Sequence, residues 1–270
     1  EQGCSDQASE QPSEVLTMKE RWIQLTKRAD FYRIAEKFHI DPVIARVIRN
    51  RDIVTEEEYE RYLGTNTNLY DPHLMKDMDR GVAWIRQAIL DQKKIRILSD
   101  YDVDGVMSNY ILYRALKRCN ADVDYRIPDR IEDGYGMNET MVREAYDAGI
   151  QVLLTCDNGI AALLPIAYAK NLGMTVVVTD HHDIPFEYDE DGRKEYIQSV
   201  ADAVIDPKQE DCSYPYKQLC GAGVAYKFVQ VLYETCGIDV EEAEEFIEFV
   251  AMATICDVME LKDENRILVK

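Results

Sequence analysis

The segment IRILSDYDVDGV, residues 95–106, carries the most information about the fold. Its first residues are mostly apolar and rich in isoleucine, which is typical of a buried strand. Asp100, Asp102 and Asp104 then occupy every second position. If the chain stays extended from Ile95 to Asp104, these carboxylates point to the same side, because side chains alternate along a strand. The alternative is an acidic turn in which Asp104 or a neighbour caps the following helix.

Beyond Lys94, short apolar runs alternate with amphipathic segments. The pattern predicts strands at 94–100, 122–127, 150–156, 174–179 and 203–205, and helices at 105–119, 138–148, 161–171, 220–236 and 240–256. This alternation predicts an α/β fold, a doubly wound and mostly parallel sheet with helices on both faces. In such sheets ligands bind beyond the carboxyl ends of the strands.

A small helical appendage is expected before the sheet. Residues 1–16 are polar and acidic, and we expect a partly disordered arm there. Residues 17–92 are predicted to form the appendage: Asp41-Pro42 has the pattern of a helix start, and Thr55 to Glu58 that of a capping box. Residues 93–270 would then form the sheet domain.

Composition narrows the class of protein. The chain has 270 residues, of which 46% are hydrophobic, and 31 Lys and Arg stand against 51 Asp and Glu, a net charge of −20. Such a charge argues against a protein that binds nucleic acid through the overall charge of its surface. The seven cysteines form no C-x-x-C pair, which favours a reduced, cytoplasmic setting. The apolar runs are too short to cross a membrane.

Three further clusters of candidate metal ligands follow later in the chain: Asp157-Asn158-Gly159, Asp180-His181-His182 and Asp257. Taken alone, the first is an ordinary turn sequence, the second could be a surface histidine pair, and the third is the last residue of a predicted helix. Taken together with the first cluster, they would concentrate negative charge at one place. Like charges so close need metal ions to stay ionised.

The order of these clusters, Asp-x-Asp, Asp, Asp-His-His and Asp, resembles that of the DHH phosphoesterase superfamily across residues 100–257. Within it, the chain looks most like the RecJ-type exonucleases, which degrade single-stranded DNA from the 5′ end. The supporting segments are residues 99–106, 127–130, 134–136 and 219–225.

The resemblance implies two bound Mn²⁺ or Mg²⁺ ions. Asp157 would bridge them, Asp102 would bind one ion, and Asp104, His181 and Asp257 would bind the other. Carboxylate oxygens suit such hard cations, and one imidazole shifts the preference toward Mn²⁺.

One position departs from the family pattern. Many relatives have a histidine four residues before the first of these aspartates, where this chain has Leu98. Leu98 cannot bind a metal, so Asp100 is the candidate that fills the gap. Asp180 is expected to orient His181.

The resemblance also suggests substrate contacts. His182 would contact the scissile phosphate, Arg130 would clamp a terminal 5′ phosphate, and Tyr135 would be a platform for a base. The backbone N–H groups of Gly221 and Gly223 could bind a phosphate. The alternatives are a surface salt bridge for Arg130, loop packing for Tyr135 and a plain helix start for the two glycines.

The function implied is a two-metal phosphodiesterase, a 5′-to-3′ exonuclease of single-stranded DNA in repair and recombination that releases mononucleotides. Complete relatives carry further C-terminal domains, so a fragment is expected, whose full-length form could recruit a single-strand-binding protein or a helicase. One alternative is a hydrolase of short oligonucleotides or cyclic dinucleotides. Another is an inactive scaffold that keeps only the fold. The replacement of a ligand histidine by Leu98 favours this alternative, whereas the near-complete set of the other ligands argues against it.

Overall fold

The computed structural model describes residues 27–270. Its contacts divide the chain between Val54 and Thr55 into two compact units. The predicted arm, residues 1–16, and the first ten residues of the predicted appendage lie outside the described residues.

Within residues 27–54, the first unit contains two short helices, α1 (Phe31–Phe38) and α2 (Pro42–Asn50). The side chain of Asp41 accepts a hydrogen bond from the Val43 N–H at 2.7 Å, with Pro42 at the start of α2, so the predicted helix start is confirmed. The buried side chains of the two helices are small or aliphatic: Ala35 in α1, and Ala45 and Ile48 in α2.

The second unit contains the sheet and eight α-helices within residues 55–270. Its strands are β1 (Ile95–Ser99), β2 (Val123–Arg126), β3 (Val152–Cys156), β4 (Thr175–Thr179), β5 (Phe186–Tyr188), β6 (Lys194–Tyr196) and β7 (Ala203–Ile205). Its helices are α3 (Glu56–Leu63), α4 (Met78–Leu90), α5 (Val103–Arg118), α6 (Glu139–Asp147), α7 (Leu163–Asn171), α8 (Gly221–Cys236), α9 (Ile247–Cys256) and α10 (Asp263–Val269), with 3₁₀ turns at Pro72–Leu74 and Val240–Phe246.

Five strands form one parallel sheet in the order β2-β1-β3-β4-β7. Apolar side chains of α4, α5 and α8 pack on one face, and those of α6 and α7 pack on the other. Along β1, Ile97 faces the first layer and Leu98 the second, as strand alternation requires. The predicted doubly wound sheet with helices on both faces, preceded by small helices, is confirmed.

The structure corrects three details of the sequence prediction. The chain is not extended to Asp104, because Asp102 caps α5 and the helix begins at Val103. The predicted helix 240–256 is a 3₁₀ segment followed by α9, and such 3₁₀ turns are frequent at the N-termini of α-helices. The antiparallel β5–β6 pair and α10 were not predicted.

A buried polar network joins α8 to α10. Lys227 and Glu264 are fully buried and form an ion pair at 2.8 Å. Glu264 also accepts hydrogen bonds from the Tyr214 hydroxyl at 2.5 Å and from the Tyr70 N–H at 2.8 Å, while Lys227 donates to the Tyr70 carbonyl. The network fixes the last helix against the domain. Among residues 27–270, no helix is long and apolar enough to cross a membrane.

Candidate metal centre

Three of the candidate residues directly follow neighbouring parallel strands. Asp100 follows β1, Asp157 follows β3 and Asp180 follows β4, so all three lie at the carboxyl edge of the sheet. The chain order reverses between β1 and β3, because β1 leads outward to β2 whereas β3 leads to β4 on the other side. Open α/β sheets bind ligands at such a switch point.

The turn after β1 determines where the first cluster points. Asp102 is the N-cap of α5 and accepts a hydrogen bond from the Gly105 N–H at 2.9 Å, so an acid at this position does cap the helix. Asp102 is exposed, whereas Asp104 is buried in the first helical turn. A Cβ at position 105 would lie 2.4 Å from the Asp100 carbonyl oxygen. Only glycine permits this tight turn.

Asp104 is held by the start of α8. Its two carboxylate oxygens accept hydrogen bonds from the Gly221 N–H at 2.6 Å and the Ala222 N–H at 2.7 Å. The helix start therefore binds a carboxylate of the chain itself, which corrects the expectation that the Gly221 N–H is available to a phosphate. Burial raises the pKa of Asp104 despite these donors.

Asp157 lies at the centre of the group. It is buried, and its backbone is left-handed with φ at 56°. Burial, and then the nearby charge of Asp104, raise the pKa of Asp157 far above the usual range. A strained backbone conformation and like charges held close together are both features of functional sites.

His181 joins three of the acids. Its Nε2 lies 3.0 Å from Asp157 Oδ1, 3.5 Å from Asp104 Oδ2 and 3.8 Å from Asp257 Oδ2. Burial lowers the pKa of His181, which favours the neutral ring that a metal ligand requires. Asp257 is the C-cap of α9, so the helix end carries it to the edge of the sheet.

Three groups of three residues have donor atoms within 4.8 Å of one another. Two of them consist of the candidate ligands alone: Asp100, Asp102 and Asp157, and Asp104, His181 and Asp257. The third, Asp157, His181 and His182, shares one residue with each of these two. Residues from four separate segments of the chain thus meet at one point. The division corresponds to the two ligand sets that the sequence resemblance implied.

Asp100 and Leu98 are both buried, but their surroundings differ. Leu98 is buried among the apolar side chains of the α6 and α7 layer. Asp100 is also buried, both of its carboxylate oxygens have no hydrogen-bond partner within the described chain, and burial raises its pKa. An ionised carboxylate in this position needs a cation.

Asp180 contacts the ring of His182, whereas it was expected to orient His181. Its Oδ1 lies 2.7 Å from His182 Nδ1, whereas His181 donates to Asp180 through its backbone N–H and not through its ring. Burial would raise the pKa of Asp180, yet the hydrogen bond from His182 and the charge of that ring hold it below the usual value. The same hydrogen bond raises the pKa of His182. Adjacent side chains point apart, so Asp180 can reach the second histidine but not the first.

Tyr135 extends this arrangement to the surface. Its hydroxyl lies 3.0 Å from His182 Nε2, and its ring makes an edge contact with the ring of Tyr101, with centroids 6.2 Å apart. The guanidinium of Arg130 lies 5.1 Å from the centre of the Tyr101 ring, a cation–π contact in place of the surface salt bridge considered above. Arg130, Tyr101 and Tyr135 form a continuous strip next to His182.

Two polar residues were not singled out from the sequence. Asp206 directly follows β7, is fully buried, and has one carboxylate oxygen without a partner in the described chain. Burial and the charge of Asp180 raise its pKa to about 8. The rule that found the other acids, an aspartate directly after a strand, could have found it. Asn158 donates to the carbonyls of Leu98 and Cys156 at 3.0 and 2.9 Å and so ties β1 to β3 beneath the site.

Comparison with known proteins places this geometry in context. A family model described as the DHH family, N-terminal domain, matches residues 94–254. The single-stranded-DNA-specific exonuclease RecJ of Bacillus subtilis is 37% identical over 256 residues, which cover 94% of this chain and 30% of that protein.

Two solved structures are similar as well. One, an exonuclease RecJ bound to manganese, has a TM-score of 0.61 at 32% identity and covers 72% of this chain and 46% of that one. The other, RecJ of Thermus thermophilus in complex with Mn²⁺, has a TM-score of 0.69 at 26% identity and covers 91% and 33%. This chain spans less than half the length of each of these relatives.

Proposed function

Since the chain belongs to the DHH family, we propose that it is the catalytic portion of a two-metal exonuclease of the RecJ type. It would cleave single-stranded DNA from the 5′ end and release mononucleotides in DNA repair and recombination. The observation that carries the proposal is the pair of adjoining ligand groups at the carboxyl edge of the sheet.

The donor atoms fit metal ions. Both oxygens of Asp100 are buried without a hydrogen-bond partner among the described residues, which is unfavourable for a carboxylate unless a cation lies beside it. We assign Asp100, Asp102 and Asp157 to one ion and Asp104, His181 and Asp257, with Asp157 as a bridge, to the other. Mn²⁺ or Mg²⁺ suits five carboxylates and one imidazole.

When bound, two such ions activate water for in-line attack on a phosphodiester and stabilise the charge on its oxygens. The chain's own residues would position the substrate. Asp180 fixes the ring of His182 through Nδ1, and Nε2 would contact the scissile phosphate. We propose that Arg130 binds the terminal phosphate and that Tyr135 contacts the first base and supports His182.

We also propose the domain boundaries and the setting. Residues 93–270 would form the phosphoesterase domain, which the family match from residue 94 supports. The six cysteines of the described chain are all free thiols, which suits the cytoplasm. In a longer protein, a single-strand-binding protein or a helicase would deliver the strand.

Calorimetry with Mn²⁺ tests the site. The wild-type chain should bind about two ions. Asp157→Asn should lose most of that binding, because asparagine tolerates the left-handed backbone but carries no charge. Asp191→Asn removes an exposed carboxylate in the turn between β5 and β6, which belongs to neither ligand group, and is the matched control.

Activity is tested separately with a 5′-phosphorylated single strand in Mn²⁺. Mononucleotide release from long strands supports the proposal, whereas activity confined to dinucleotides would support the short-substrate hydrolase. Failure of the wild-type chain to bind Mn²⁺ would leave only the scaffold.

A further inference from the structure

The described part of the first compact unit is basic, although the protein as a whole is acidic. Residues 27–54 contain seven Lys and Arg and four Asp and Glu, a net charge of +3, although the whole chain carries −20. A local excess of cations in such a chain attracts anions.

The cations border an open cavity of about 600 Å³. Its walls among the described residues are Lys27, Arg28, Ala29, Phe31 and Arg46, and no carboxylate is among them. The Arg46 guanidinium lies 4.8 Å from the centre of the Phe31 ring, so a cation–π contact between α1 and α2 holds it in place. Three positive side chains therefore face one cavity.

Most of this charge is not neutralised within the described chain. Lys27 forms an ion pair with Asp52, but Arg28 and Arg46 have no carboxylate within ion-pair distance among residues 27–270. By contrast, Arg96 and Arg143 in the second unit each pair with an aspartate, at 2.6 and 3.0 Å. The two arginines at the cavity thus keep their donors for a ligand.

An exposed aromatic side chain lies one residue along α1 from the cavity lining. Tyr32, the neighbour of Phe31 on α1, is 79% exposed, which leaves a ring face available to solvent. Guanidinium groups bind phosphate through paired hydrogen bonds, and exposed aromatic rings stack on unpaired bases. Cations and an aromatic ring together match the two parts of a nucleotide.

We propose that the cavity lined by Arg28, Phe31 and Arg46 is a second binding site for single-stranded nucleic acid, in which the arginines bind a phosphodiester and Tyr32 stacks on a neighbouring base. This inference rests on the proposed function, which supplies the strand. It explains how a chain with a net charge of −20 could hold a polyanion.

The test is the affinity of the 270-residue chain for a fluorescein-labelled, phosphorothioate-linked oligothymidylate, measured by anisotropy over a range of salt concentrations. The double variant Arg28→Gln with Arg46→Gln should bind about tenfold more weakly. Its slope of log K against log salt should be smaller by about 1.4, since each phosphate contact to a single strand contributes about 0.7. Arg86→Gln is the matched control, an exposed arginine in the second unit.

Tyr32→Ala should weaken binding without changing the salt slope, because it removes stacking and no charge. Unchanged affinity and slope in the double variant would overturn the proposal. So would a double variant that loses affinity for inorganic phosphate while its oligothymidylate affinity stays the same, since this would indicate a site for small anions. Strand cleavage by the wild-type chain is a separate readout, and its absence would contradict the proposed function without affecting the binding comparison.

Discussion

A Cβ atom at position 221 would lie 2.7 Å from the Cβ of Asp157. The start of α8 therefore lies directly against the central acid of the candidate metal site, and Gly221 is what allows the approach. The same residue donates its N–H to Asp104. Gly221 thus helps to position two of the proposed ligands.

Gly221→Ala is expected to push Asp157 aside and to weaken Mn²⁺ binding by at least tenfold. Overpacking of this size costs about 1–3 kcal/mol of folding stability. Gly223→Ala, where the added Cβ would meet Leu219 at 3.3 Å, should lose less Mn²⁺ affinity. Calorimetry together with thermal melting separates the two effects, and equal Mn²⁺ affinity in wild type and Gly221→Ala would refute this interpretation.

Mn²⁺ affinity should rise with pH from about 6 to 8. Burial raises the pKa values of Asp100, Asp104 and Asp157, so the metal-free protein retains protons on this group that the metal must displace. Calorimetry in two buffers with different ionisation enthalpies will measure the protons released. Binding without proton release, at a constant affinity across this range, would contradict the prediction.

Asp180→Asn should lower the pKa of His182. In the wild type, the hydrogen bond from Asp180 raises that pKa, so the stabilisation from this pair is complete below the unfolded pKa of about 6.5 and is lost as the pH rises through the folded value. An NMR titration of the histidine ring protons in the metal-free chain measures the shift. His39, which lies in the first unit, serves as the internal reference.

Tyr135→Phe removes the hydroxyl beside His182 Nε2 and keeps the ring contact with Tyr101. If this hydroxyl holds His182 in position, kcat for strand cleavage should fall about fivefold, the equivalent of one hydrogen bond, with little change in Tm. The kcat and KM values of the two proteins should be compared on the same oligonucleotide. An effect confined to KM would instead indicate that Tyr135 only contacts the base.

Glu264→Gln should destabilise the second unit by about 3 kcal/mol, because it leaves the buried ammonium of Lys227 without its countercharge. Glu260→Gln breaks the exposed pair with Lys262 and should change the free energy of unfolding by less than about 1 kcal/mol. Urea unfolding of both variants is the measurement. Similar losses in the two would show that the buried pair contributes little.

Local sequence patterns were enough to predict the sheet and the meeting of its acids. Apolar runs indicated the strands, and the rule that parallel strands end at one edge brought Asp100 and Asp157 together. Such rules could not predict the hydrogen bond from Gly221 to Asp104. Gly221 is 117 positions away and reaches Asp104 only because α8 packs on α5. The partner of Asp180 was misjudged because the choice between His181 and His182 depends on the turn after β4.

Asp257 supplies the last of the proposed ligands and follows every strand of the sheet in the chain. During synthesis, a ribosome would have to complete all seven strands, α8 and α9 before the metal centre could assemble. A nascent chain that stopped short of α9 would carry the strands and most of the acids, yet it could not hold both ions. The proposed metal centre would therefore assemble only after the whole sheet domain had been made and folded.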